Sequence, residues 1–391
     1  MAGGSLHHLR PRDGRDQPTT AVELLFDLVY AFAVTQISHL LIENLTFAGA
    51  AHAAFLLVVV WWAWIYTTWM ANWFDPASAR VRLIVVGAAM ASLLMAAAIP
   101  VAFTSQPVLF AGAYVALQVG RNVAARELLE SDHSLRVVFD RIVAWSVASG
   151  ALWLAGAFGS ESLRFVFWGP ALTLDLLAPI VGYWTPGRGS SKTMDYPVDG
   201  GHFAERFQSF IIIVLGESIV VTGATASARG LNAITVLGLA VAFAITGGLW
   251  WLYFGAVAGN SRRRLAQSDD PARLARDAYS YLHLPIVAGV IMVAVGDDLL
   301  LAAPRHALSA GGVAALAGGA AIYLAGEILF RVRMIGSVPR KRVIAVVALC
   351  AAGSVAGTLP AIALGGIVAV LLSGLALWEA SGLPPHSRPA R

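Results

Sequence analysis

Apolar residues run along this chain in blocks of about twenty, the length that crosses a bilayer as a helix. Short polar breaks between the blocks predict spans near 22–43, 50–72, 79–103, 108–130, 138–159, 163–184, 204–227, 231–257, 277–301, 309–333, 341–357 and 359–380. Only Thr358 to Pro360 separates the last two. The polar stretches 1–20, 185–201, 258–276 and 381–391 are too short to bury a core of their own. The pattern therefore predicts an all-α integral membrane protein of about twelve transmembrane helices.

Charge placement supports this segmentation. With the N-terminus inside, 24 of the 27 Lys and Arg residues fall on the cytoplasmic side, among them Arg10, Arg12, Arg15, Arg80, Arg126, Arg206, Arg262, Arg263, Arg264, Arg331, Arg342, Arg388 and Arg391; only Arg164, Arg229 and Arg305 fall outside. The expected location is the cell membrane, multi-pass, with both termini cytoplasmic. Composition excludes an ordinary soluble domain, since 58% of residues are apolar, 13% are charged and the mean hydropathy is +0.71. The net charge of +4 then meets anionic lipid and is not a nucleic-acid footprint. Cys350 is the single cysteine, which excludes an internal disulfide. No cleavable signal peptide is expected, because the first apolar run is too long and too acidic.

The chain also echoes itself. Trp61-Trp62 and Tyr66 return as Trp250-Trp251 and Tyr253, Asp75-Pro76-Ala77 as Asp270-Pro271-Ala272, and Tyr114 with Arg121 as Tyr323 with Arg331. Two tandem six-helix repeats of the same orientation explain the preserved order. The expected organisation is a polar tail at 1–20, a first repeat at 21–185, a linker at 186–201, a second repeat at 202–380 and a tail at 381–391.

Several spans carry groups that hydrocarbon does not tolerate unpaired. Span one holds Glu23, Asp27, Gln36 and His39; span six holds Asp175; span seven holds His202, Glu205, Arg206 and Glu217. At 100° per residue, Glu23 and Asp27 share one face of span one near its cytoplasmic end, while Gln36 and His39 lie nearly opposite. His202, Arg206 and Glu217 share a side of span seven, with Arg206 and Glu217 about 16 Å apart along the axis. Span nine lines up Tyr279, His283 and Asp297; span ten lines up Tyr323, Glu327 and Arg331.

Each set has a structural and a functional reading. Arg206 could neutralise Glu205, Glu23 or Asp27, and Glu327 with Arg331 could form a pair one helical turn apart. Glu217, His39 and His283 lie deeper or lack a local partner, which favours a functional role. The tryptophans of span two read as packing and interfacial anchors.

The stretches Glu23-Leu24-Leu25-Phe26-Asp27, Phe74-Asp75-Pro76, Asp175 to Pro179, His202 to Phe207, Val214 to Ser218 and Tyr281 to Pro285 resemble the bacterial low-temperature-requirement A (LtrA) family over nearly the whole chain. That resemblance implies a membrane protein but no particular chemistry. The stretch Asp27 to Thr35 is also similar to the Phe-Ser-Asp helix of the lysosomal and prokaryotic potassium channels built from six-helix units. That resemblance implies that spans one and seven line a pore, although here Leu25-Phe26 stand where Phe-Ser is expected.

Two function classes remain open. One is a channel or transporter for a small cation, proton or polar solute through a polar centre formed by helices one and seven. The other is an intramembrane enzyme acting on a lipid or isoprenoid diphosphate, with Asp75, Asp195 and Asp199 holding a divalent cation. The sequence lacks the nucleophile elbow, metalloprotease helix, Walker loop and dinucleotide-binding patterns. Transport is the favoured class, with no cofactor and no resident metal. The expected partners are membrane lipid and the small ion or solute, with homo-oligomerisation left open and no nucleic acid.

Overall fold

The computed structural model describes residues 8–11, 17–131, 133–256, 264–265 and 267–381. The tail at 381–391 beyond Ser381, most of the tail at 1–20, and Arg12, Arg15, Arg262, Arg263, Arg388 and Arg391 lie outside the described residues. The described chain is all-helical. The segments are α1 (Ala21–Glu43), α2 (Phe47–Trp73), α3 (Ala79–Ala98), α4 (Pro107–Glu127), α5 (Ser134–Phe158), α6 (Glu161–Leu177), α7 (Gly200–Arg229), α8 (Ala233–Ala256), α9 (Pro271–Ala302), α10 (Ala310–Ile335), α11 (Arg340–Val355) and α12 (Ala361–Ser381).

Among the described residues, eleven helices are long and apolar enough to cross a membrane, against the twelve spans expected. The difference falls on the sixth span. Its helix, α6, is 17 residues long, and the rest of the expected stretch is a turn. Ala178 keeps helical backbone, but Pro179 has no N–H with which to continue the ladder, and Gly182 and Tyr183 then adopt positive φ of 61° and 51°.

Local chemistry sets the helix ends. Asp199 Oδ1 accepts from the His202 backbone N–H at 3.0 Å at the start of α7, and Ser309 Oγ accepts from Gly312 N–H at 3.2 Å at the start of α10. Gly336, with φ of 78°, closes α10 in the left-handed conformation that costs glycine least. Three spans contain a π-helical stretch: Ala116–Gly120 in α4, Ala275–Tyr281 in α9 and Ala314–Gly318 in α10. Such stretches are frequent at functional sites.

The chain divides into two compact units. The first comprises Met1–Leu40, His52–Phe207 and Leu265–Arg276; the second comprises Leu41–Ala51, Gln208–Arg264 and Asp277–Arg391. In the first unit α4 packs on α3 and α5, and α5 on α6. Its core is aromatic: Trp153 and Trp168 lie 5.2 Å apart, with Phe103 and Phe110 against Trp168. Gly156 makes room for this contact, since a Cβ there would come within 2.6 Å of the Trp168 ring.

In the second unit α9 and α10 approach backbone to backbone. A Cβ on Gly289 would meet Tyr323 N at 2.5 Å, and one on Gly296 would meet Leu316 Cα at 2.6 Å. From the other side, Gly319 faces Val293 N and Gly326 faces Ile286 N. Small residues one heptad apart on each helix replace the hydrophobic driving force that lipid does not supply. Gly289→Ala is expected to destabilise the protein by about 1–3 kcal/mol through forced separation. Gly247→Ala, where nothing lies within 4 Å of the new Cβ, should leave the melting temperature level or slightly higher. Equal losses in a detergent melting series would show that the α9–α10 contact is loose.

Candidate functional site

The first unit gathers its acids and bases at the starts of α1 and α7. Thr20 sits just before α1 and donates from its backbone N–H and its hydroxyl to Glu23 Oε2, at 2.8 and 2.7 Å. Arg10, from the segment ahead of α1, donates to both Glu23 oxygens at 3.1 Å and to the Ala71 carbonyl at 2.7 Å. His202 Nε2 donates to Glu23 Oε1 at 2.8 Å, while His202 Nδ1 accepts from Asn72 Nδ2 at 3.1 Å. That tautomer satisfies both contacts. Asn72 is itself held by the backbone of Asp199, which it contacts in both directions at 2.9 Å.

One turn further along α1, Asp27 is fully buried. Arg206 grips it with two parallel hydrogen bonds of 2.8 Å, and Trp64 Nε1 donates to Oδ1 at 2.8 Å. The guanidinium also lies 5.7 Å from the Trp64 ring centroid. Of the three partners the sequence offered Arg206, the structure selects Asp27. Glu205 turns away and accepts from Thr19 N–H at 3.1 Å. The network neutralises its charges locally, as burial in a low dielectric demands.

Asp175 forms a separate cluster in the first unit. Its Oδ2 accepts from Tyr114 Oη at 2.9 Å and from Trp153 Nε1 at 3.1 Å, and its carbonyl accepts from Trp62 Nε1 at 3.0 Å. Trp61, Trp62 and Trp64 of span two are thus buried, the packing role expected of them, and two of them donate hydrogen bonds to the acid-bearing helices. Gln36 is half-buried and His39 exposed, and neither joins the network.

The aspartates of the enzyme reading hold turns. Asp75 Oδ1 accepts from Ala77 N–H at 2.9 Å, Asp195 Oδ2 from Lys192 N–H at 2.7 Å, and Asp199 caps α7. Among the described residues, no group of three His, Cys, Asp or Glu is placed to hold a metal ion.

In the second unit, His283 is fully buried between Tyr253, whose hydroxyl lies 3.0 Å from Nε2, and the Ala278 carbonyl, 3.2 Å from Nδ1. Tyr279 stacks on its ring at 4.9 Å. Glu327 pairs with Arg342 of α11 and accepts from Tyr323 Oη at 3.1 Å. The expected partner, Arg331, is not within ion-pairing distance of it. Arg342 reaches further, to Glu379 of α12 at 2.9 Å.

Glu217 is buried on α7. The next residue, Ser218, donates to Asp297 Oδ2 at 3.1 Å and lies 2.9 Å from Thr246 Oγ1. The sequence reading missed Arg10, Asn72, Trp64, Ser218, Thr246, Arg342 and Glu379 as partners. Arg10 sits in a polar tail and Ser218 and Thr246 in apolar runs, so no local pattern marked them.

Apolar helices of bilayer length with acids and bases buried among them define a polytopic helical membrane protein. The chain matches the model of the family described as bacterial low temperature requirement A protein (LtrA) over residues 19–377. It belongs to that family. It is also 32% identical to the uncharacterized protein RA0937 of Rhizobium meliloti (strain 1021) over 391 residues, covering 100% of this chain and 96% of the relative. No solved structure matches the chain.

Proposed function

We propose that the protein is a channel or carrier for a small cation, proton or polar solute, with its polar path built on α1 and α7 and with both termini on the cytoplasmic side. The observation that carries this reading is two hydrogen-bonded clusters of buried charge one turn apart at the starts of α1 and α7, Arg10 with Glu23 and His202, and Asp27 with Arg206. A purely structural role needs no such density, because apolar residues of similar volume pack as well or better. Farther along α7, Glu217, Ser218 and Thr222 continue the buried polar positions toward the other end of the span. Asp75, Asp195 and Asp199 each accept a local backbone hydrogen bond, which gives each a role in its own turn or helix start and none that requires a diphosphate.

The test is flux in proteoliposomes of the purified chain under imposed K⁺, Na⁺ and H⁺ gradients. Movement of one of these ions above that of protein-free vesicles is the expected result. Silence for all three, with solute counterflow also absent, would remove the transport reading.

A further inference from the structure

Asp297, on α9, is one of the buried acids of the second unit. It is fully buried, its Oδ2 accepts from Ser218 Oγ at 3.1 Å, and its Oδ1 is buried with no hydrogen-bond partner among the described residues. Ser218 Oγ in turn lies 2.9 Å from Thr246 Oγ1. Three oxygen-bearing side chains from α7, α9 and α8 therefore meet at one point inside the helices. Ser218 is about 16 Å from the C-terminal end of α7 and Thr246 about 20 Å from the start of α8, so the point is deep in both.

The neighbouring elements supply no counter-charge. The α8 helix contains no charged residue at all, and α7 carries only Glu217 between Phe207 and Ala228. The stretch of α10 from Ala310 to Gly326, which includes Leu316 opposite Gly296, is also uncharged, and α12 carries only Glu379. The adjacent Asp298 accepts a hydrogen bond from Thr225. A proton alone does not resolve the geometry: whichever carboxyl oxygen holds it, Oδ1 stays without a partner, and a buried polar atom in that state costs the full desolvation penalty. The π-helical stretch Ala314–Gly318 presses against Gly296 beside this carboxylate and fixes its place on α9.

We propose that Asp297, Ser218 and Thr246 form a binding site for a monovalent alkali cation, which deepens the transport reading above by naming the species and rests on it for its role in flux. The donors are all hard oxygens, the set that suits alkali and alkaline-earth ions and not soft metals. One carboxylate with two neutral hydroxyls balances a single positive charge; a divalent ion would leave one charge uncompensated in a low dielectric.

The experiment uses the full chain in detergent, melted at constant ionic strength while choline chloride is replaced by NaCl, KCl or LiCl, at neutral and at alkaline pH. A saturable, ion-specific rise in melting temperature is expected for at least one alkali ion. Asp297→Asn should abolish it, and Ser218→Ala and Thr246→Val should each weaken the apparent affinity by about tenfold, the scale of losing one supporting group. The two hydroxyl variants keep the test open if Asp297→Asn does not fold. No difference between choline and the alkali ions at either pH, or an undiminished rise in the variants, would overturn the site. Alkali-specific stabilisation without flux in proteoliposomes would keep the site and defeat the transport reading. Flux that is unchanged by Asp297→Asn would remove the site from the transport path and leave the transport reading standing.

Discussion

Arg342→Gln is expected to unfold the second unit or to destabilise it by more than the ~3–5 kcal/mol typical of breaking one buried ion pair, because two acids lose their cation at once. Arg342 is fully buried, pairs with Glu327 on α10 and Glu379 on α12, and also donates to the Leu252 carbonyl of α8 at 3.1 Å. One guanidinium thus joins four helices through α8, α10, α11 and α12. Lysine cannot replace it, since a single ammonium lacks the fork that serves both carboxylates. The matched control is Arg331→Gln, which should shift stability little because Arg331 forms no ion pair with Glu327. Melting curves of the two variants in the same detergent decide the matter. A larger loss for Arg331→Gln than for Arg342→Gln would mean that Glu327 pairs along its own helix after all.

The second large effect is expected at the Asp27–Arg206 pair. Arg206→Gln leaves a fully buried carboxylate facing only Trp64 Nε1, and a loss of about 3–5 kcal/mol follows from the uncompensated charge. Asp27→Asn should cost a similar amount from the opposite side. The double substitution should recover part of the summed loss, because Asn and Gln can hydrogen-bond without either bearing charge. Strictly additive losses in the double-mutant cycle would show that the two side chains do not interact in the folded protein. Arg206→Lys is expected to restore only part of the wild-type stability, since it keeps the charge and loses the bidentate geometry.

These predictions rest on contacts of unequal visibility in the sequence. The acids were legible because an Asp or Glu inside an apolar run violates the surrounding pattern wherever it occurs; Glu23, Asp27, Asp175, Glu217, Asp297 and Glu327 all stood out that way and all are buried. Their partners were not. Asp27 and Arg206 are 179 residues apart, and helical periodicity placed each on a face without saying which face met which. The neighbour rule for one helical turn suggested Arg331 for Glu327 and failed, because packing of α11 against α10 brought a better-placed guanidinium from fifteen positions away. His39 illustrates the opposite limit: a polar residue in an apolar run that the bundle leaves exposed.

By itself, then, the sequence determined that the chain is a multi-helix membrane protein of the LtrA family. Run length and the cost of unpaired backbone in lipid permit little else, and the family motifs are local strings. It also determined which residues must be paired. Only the tertiary structure decided the pairing: the entry of Arg10 from a polar tail to Glu23, the donation of His202 to the same carboxylate, the choice of Asp27 for Arg206, the turn at Gly182 and Tyr183 that shortens α6, and the meeting of Ser218, Thr246 and Asp297. The physical reason is that helix formation in lipid is set within a segment by its own hydrogen bonds. Side-chain partnership depends instead on the rotation and approach of separate helices, which small residues such as Gly289 and Gly296 permit and distant charges then fix.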